Sequence, residues 1–183
     1  MNHHGPRHGL SMIELVLVIL VLGLVAAIAT PRFAESLRVA RLEAAAEQLA
    51  AHVRYVRSVA MNEGKTATLD FKESDSAYGC DTVDSPERIG EPLFVSLIDS
   101  FDPSIQLQAN FDSAKRISFD LEGVPYVDTT PMILGRIIVQ SSSDRFRISI
   151  ESGTGRTSVT RLSSDDSPSD DRLIDEGLTE LSL

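Results

Sequence analysis

The stretch Gly9-Leu10-Ser11-Met12-Ile13-Glu14-Leu15-Val16-Leu17-Val18-Ile19-Leu20 opens an apolar run that lasts to Ala29 and meets Thr30-Pro31. Residues 15–29 contain no charged or strongly polar side chain, and the twenty residues 10–29 are interrupted only by Ser11 and Glu14. At about 1.5 Å per residue such a run makes roughly 30 Å of helix, the thickness of a bilayer core. A secretory signal would carry a basic start and a small-residue cleavage site after the run, which Ala26-Ala27-Ile28-Ala29 imitates. Three features argue instead for a retained anchor. The run is long for a signal peptide, an acidic residue sits near its start, and Pro31 leads at once into a second, amphipathic helix that continues the first.

Glu14 is out of place in such a segment, because an ionised carboxylate within a membrane costs several kcal/mol unless it is paired or close to the interface. Residues 10–30 include no Lys or Arg, so the same helix offers no positive partner except a backbone amine. On these residues the chain resembles the type IV prepilins and pseudopilins with a class III signal. The resemblance implies cleavage between Gly9 and Leu10 by a membrane-embedded prepilin peptidase and N-methylation of Leu10. The apolar helix then stays in the mature protein. Cleavage would create a cationic amine on Leu10, and Glu14, four residues along, shares its helix face. In a filament the Glu14 carboxylate would neutralise the amine of an adjacent subunit. Burying either charge alone is costly, so the pairing rewards correct registry.

Residues 1–9 form a short polar leader with Arg7, His3, His4 and His8, expected to stay cytoplasmic under the positive-inside tendency. Its three histidines are not read as a metal site, since the segment is expected to be flexible and removed. The resemblance implies the bacterial inner membrane as the location, with a single pass and the C-terminal domain in the periplasm, and association with a filament after assembly.

Net charge is −10, and the excess is concentrated: residues 163–183 hold seven Asp or Glu against the single Arg172. Such a tail repels phosphate, so nucleic acid is not expected as a partner unless arginines elsewhere converge on a separate face. Cys80 is the only cysteine, which excludes an intramolecular disulfide and a Cys-rich zinc site; it reads as a small residue in a polar loop.

Beyond Pro31, Leu42, Ala46, Leu49, Val53, Val56 and Ala60 recur at intervals of four and three, one stripe of a helix that packs on a sheet. Arg38, Arg41, Glu43, Glu47, Arg54 and Arg57 fall mostly on the other faces and read as solvated. Asn62-Glu63-Gly64 ends the helix, Gly64 being suited to a left-handed cap. Strands are expected over 66–71, 93–98, 116–121, 132–140, 145–150 and 156–162, with turns at 122–125, 141–144 and 152–155, while 73–92 reads as a long surface loop. The expected organisation is a cleaved leader at 1–9, an assembly helix at 10–30, its amphipathic continuation at 31–64, a β-rich domain at 65–162 and an acidic, flexible tail at 163–183. The fold class is α+β, a long N-terminal helix packed on an antiparallel sheet.

Arg57-Ser58-Val59-Ala60, Ile117-Ser118-Phe119-Asp120 with Gly123-Val124-Pro125, and Thr154-Gly155-Arg156 extend the resemblance to the GspH/FimT group of minor pseudopilins and pilins. The acidic tail departs from the basic C-terminus expected of the DNA-uptake members. This resemblance implies a structural subunit of a type II secretion pseudopilus or, alternatively, a minor pilin of a type IV pilus. Its partners would be the prepilin peptidase/N-methyltransferase, inner membrane lipid before assembly, and other pseudopilins or pilins.

A membrane-tethered enzyme is the rival of another class. Outside the leader His52 is the sole histidine, and no Gly-x-Ser-x-Gly motif surrounds a nucleophile. Asp165-Asp166 and Asp170-Asp171 lack the glycine and terminal glutamate of a calcium loop. No catalytic, cofactor-binding or metal-ligating residue is therefore proposed, and no cofactor.

Overall fold

The computed structural model describes residues 11–142 and 144–163. The chain divides into two compact units, Met1–Arg38 and Val39–Leu183. Helix α1, Met12–Glu63, is continuous in sequence through Pro31, as the reading of one helix continuing another requires. Its described residues up to Ala27 are exposed, an apolar surface with no protein packed on it. From Leu42 the helix changes character: Leu42, Ala46, Leu49, Val53, Val56 and Ala60 are all at most 1% exposed. Truncating a side chain such as Leu49 to alanine would leave a cavity worth about 2–5 kcal/mol. At its end Gly64 takes φ 63°, and Lys65 N donates to Ala60 O at 3.2 Å, closing the helix with the left-handed cap its sequence indicates.

Two antiparallel sheets follow. The first runs in the order β3 (Arg88–Ser96), β2 (Ala77–Ser85), β1 (Ala67–Lys72), β5 (Arg116–Phe119), β6 (Pro125–Val127) and β7 (Thr130–Pro131). The second runs β10 (Thr157–Leu162), β9 (Asp144–Ile150), β8 (Gly135–Ser141) and β4 (Gln106–Phe111). A four-residue helix α2, Leu97–Ser100, capped by the Ser96 hydroxyl, follows β3. Both sheets and the second half of α1 share one core, and Phe71 meets Phe111 across the sheets with ring centroids 5.2 Å apart.

Several expectations require correction. Residues 73–92 are not a long surface loop: Ala77–Ser85 is a strand, paired with Arg88–Ser96 from Ala77↔Ser96 to Cys80↔Leu93, with irregular pairing thereafter. The segment is polar in composition yet buries Ala77, Tyr78, Cys80 and Val83. Gly79 permits its strand to lie close to the next one; a Cβ there would stand 2.9 Å from Leu93 O. Cys80 accordingly lies in the core, 1% exposed, rather than in a polar loop. Residues 97–98 belong to α2 rather than to a strand, and Gln106–Phe111, Pro125–Val127 and Thr130–Pro131 are strands the reading lacked.

In the four-stranded sheet the alternation is strict. Ile137 and Val139 of β8 and Phe146, Ile148 and Ile150 of β9 are buried in the core, which turns the intervening Arg136, Ile138, Gln140, Arg145 and Arg147 to the opposite face.

Candidate functional site

Among the described residues, three places bear most directly on function. The first is the start of α1. Glu14 lies in its first turn and is exposed; Glu14 N and Leu15 N both donate to Ser11 O, at 3.0 and 3.2 Å. A carboxylate near a helix N-terminus interacts favourably with the helix dipole, yet no basic side chain occurs anywhere in residues 11–31. A counter-charge in an apolar environment must then come from beyond this segment. Gly9 and Leu10, the expected processing and methylation residues, lie outside the described residues, as do the leader histidines and the aspartates at 165, 166, 170 and 171.

The second place ties the helix to two loops. Arg57, near the end of α1, is not a solvated face residue but half-buried, and its Nε donates to Gly123 O at 3.0 Å. Gly123 (φ 77°) occupies the turn between β5 and β6, where Gly123 N donates to Asp120 O and Asp120 N to Val124 O. The Asp120 carboxylate accepts from Glu122 N and Val124 N, fixing that turn. Gly155 (φ 65°), from the turn between β9 and β10, closes on the same point; a Cβ there would meet Gly123 O at 2.8 Å and Arg57 Nε at 2.9 Å. Three segments that sequence shows only as separate short motifs thus converge on one guanidinium.

The third is a buried polar pair. His52 Nδ1 lies 2.8 Å from the Tyr78 hydroxyl, both side chains in the interior between α1 and β2. Burial lowers the His52 pKa, opposed by the negative charge of Glu87, and burial pushes the Tyr78 hydroxyl upward. His52 therefore favours its neutral form. It edges an open cleft of about 430 Å³ with Glu87, Arg88 and Glu91 on the rim, and its hydroxyl neighbour is a phenol rather than a serine or cysteine. Among the described residues no group of three or more His, Cys, Asp or Glu could hold a metal ion.

Residues 45–159, more than half of the chain, match the family model described as Type II transport protein GspH. The chain belongs to the GspH family. The matched span contains Arg57, Gly123 and Gly155, so the convergence of loops on the helix lies within the family's domain, while the anchor and its Glu14 precede it. Two crystal structures of the type IV minor pilin FimU of Pseudomonas aeruginosa PAO1, in space groups P65 and P21, are similar to the chain at 17% and 16% identity. Each alignment covers 69% of this chain, takes in 96% and 92% of the respective FimU chain, and has a TM-score of 0.46. A comparison with curated proteins returns no match. The chain is a pilin-like minor pseudopilin of the GspH/FimT type, a long N-terminal helix followed by an antiparallel β domain. Its family and fold are those of structural pilin subunits, which assemble with other pilins or pseudopilins. One described helix, α1, is long and apolar enough to cross a membrane.

Proposed function

We propose that this pseudopilin is a minor subunit of the periplasmic pseudopilus of a type II secretion system, and that it supports protein export structurally, with no catalytic role. The observation that carries this reading is the match of residues 45–159 to the Type II transport protein GspH family. In the proposed sequence the precursor sits in the inner membrane through residues 10–30, with its β domain in the periplasm. The prepilin peptidase cuts between Gly9 and Leu10, and Leu10 is N-methylated. Glu14 then pairs with the Leu10 amine of a neighbouring subunit. The exposed apolar surface of residues 11–27 supports this order, since it passes from lipid to the helices of other subunits without ever needing water.

Deletion of the gene in the native host tests the reading. Loss of exported enzymes from the medium, with surface pili and DNA uptake retained, is the expected result. Loss of pili with intact export would assign the subunit to a type IV pilus instead.

A further inference from the structure

Strand β3 closes the six-stranded sheet on one side, so only one of its edges is paired. Its register with β2 fixes what the other edge offers. Leu97 N donates to Ser76 O at 3.0 Å, in line with the pairs Ala77↔Ser96, Tyr78↔Val95 and Gly79↔Phe94. Antiparallel ladders alternate between hydrogen-bonded and non-hydrogen-bonded pairs, so Val95 turns its backbone polar groups to β2 while Phe94 and Ser96 turn theirs away. Ser96 is also the N-cap of α2, a position whose C=O accepts the first helical bond. The Phe94 N–H, the Phe94 C=O and the Ser96 N–H are left facing outward from the sheet. Toward the hairpin the ladder becomes irregular at Asp84↔Pro92, and Pro92 has no N–H to give. The usable edge is thereby confined to residues 94–96.

This edge borders the cleft of about 430 Å³ to which α1 contributes Gln48 and His52. One acceptor in it is unmet. Gln48 Oε1 is buried with no hydrogen-bond partner among the described residues, and a buried acceptor left unpaired is rare in a folded domain. Glu87, Glu91 and Asp99 bring carboxylates to the cleft wall, and Arg88, which opposes them, is spent on Glu91 at 3.3 Å. Neither Glu87 nor Asp99 forms an ion pair with a Lys or Arg among the described residues.

We propose that the free edge of β3 pairs with an extended segment of a partner protein, whose basic side chains enter the cleft beside Gln48. A residue placed opposite Phe94 would satisfy both of its backbone polar groups and lie next to its ring, which is 61% exposed. The residues before and after that one point to the other face of the sheet, the side on which Val95 packs toward the core. A Lys or Arg there donates to Gln48 Oε1 and meets the charges of Glu87 and Asp99. The pattern recognised is therefore basic, apolar, basic. Main-chain bonds supply the affinity and the charges choose the partner. A second copy of this chain would bring Glu87 and Glu91 against their own kind, an arrangement that repulsion disfavours.

The test uses the full-length protein in a neutral detergent and a blocked, fluorescent peptide Thr-Lys-Val-Lys-Thr, read by anisotropy and by amide hydrogen exchange. Binding should saturate, and at saturation the Phe94 and Ser96 amides should exchange about tenfold more slowly or slower still. Changing both lysines of the peptide to glutamate, or N-methylating its valine so that the amide cannot pair, should each weaken binding by about tenfold or more. Salt at about 1 M should weaken it as well, because charges are then screened within a few ångströms. Gln48→Leu, and Glu87→Lys with Glu91→Lys, should each reduce affinity several-fold. Phe94→Val keeps the edge N–H and should keep binding, whereas Phe94→Pro should lose it. Circular dichroism checks that these variants are folded, and the N-methylated peptide poses the same question without altering the protein. Absence of binding by the lysine peptide would overturn the proposal, as would equal binding of the lysine and glutamate peptides or of the plain and N-methylated ones. Protection of Phe94 and Ser96 that appears without peptide and grows with protein concentration would also overturn it, since the occupant would then be a second copy.

Discussion

Replacing Gly155 by alanine puts a methyl group 2.8 Å from Gly123 O and 2.9 Å from Arg57 Nε, at a backbone φ of 65° that L residues resist. The left-handed conformation alone costs about 1–2 kcal/mol, so Gly155→Ala should destabilise the domain by about 2 kcal/mol or more in urea unfolding. Arg57→Ala should cost about 1.5–3 kcal/mol, the range for a hydrogen bond made by a charged group. Arg57→Lys should not restore it, because an ammonium lacks the Nε–H that reaches Gly123 O. Equal stability of Arg57→Ala and the unchanged domain would remove this contact from the account. These glycines and the arginine were visible in the sequence as motif residues, but their meeting was not. A stripe test reports only which way a helical residue faces, and Gly123 lies 66 positions from Arg57. Glu14 differs: its type and place were enough to single it out, because a lone carboxylate in an apolar run is conspicuous without any structure. Glu14→Ala and Glu14→Gln should leave cleavage intact and cut co-purification with the other filament subunits. Normal recruitment of both variants would assign Glu14 to the membrane interface instead of a charge pair.

At the scale of elements, His52 and Tyr78 join α1 to β2 by a buried hydrogen bond. With the folded pKa of His52 held below the ordinary 6.5 by burial, the unfolded chain takes up the proton first. Stability from this group is therefore complete above about pH 7 and falls as pH drops through and below 6.5, by at most about 1.4 kcal/mol per pH unit. Thermal unfolding of the β domain between about pH 7 and pH 5 should show this loss, and His52→Gln should flatten it. A slope unchanged by the substitution would mean that other groups produce it. Glu73 acts in a lower window. Burial opposes its charge, but Lys115 and Ala109 N, both donating to Oε1, outweigh that and hold its pKa below the ordinary 4.5, so its contribution is lost only as pH falls below that value. The helix, its stripe and its glycine cap were legible because helical period and capping are local. Strand β2 was not, since its polar residues and Gly79 read as a loop, and what makes it a strand is pairing with β3 and burial of Tyr78 and Cys80 under α1 and its neighbours. The cleft beside β3 was equally hidden: Gln48 and His52 stand four apart on one helix, but Glu87, Glu91 and Asp99 join them only through the packing of α1 against the β2–β3 hairpin.

For the molecule as a whole, the division of labour is between an apolar helix that belongs with lipid or other helices and a β domain with its own core of helix and sheets. A chain beginning at Arg32 should therefore be a soluble, folded monomer by light scattering and circular dichroism; persistent aggregation would contradict the division. Its α+β class was readable from one long periodic helix followed by alternating segments, whereas the split into two sheets depends on which strands pair at long range. The central claim, that this is a prepilin-type precursor matured for a filament, rests on a junction that N-terminal analysis can read directly. Intact-mass measurement and N-terminal sequencing of the protein from native inner membranes should find a chain lacking residues 1–9 and beginning at N-methylated Leu10. A chain beginning after Ala29, or one that still carries Met1, would contradict it.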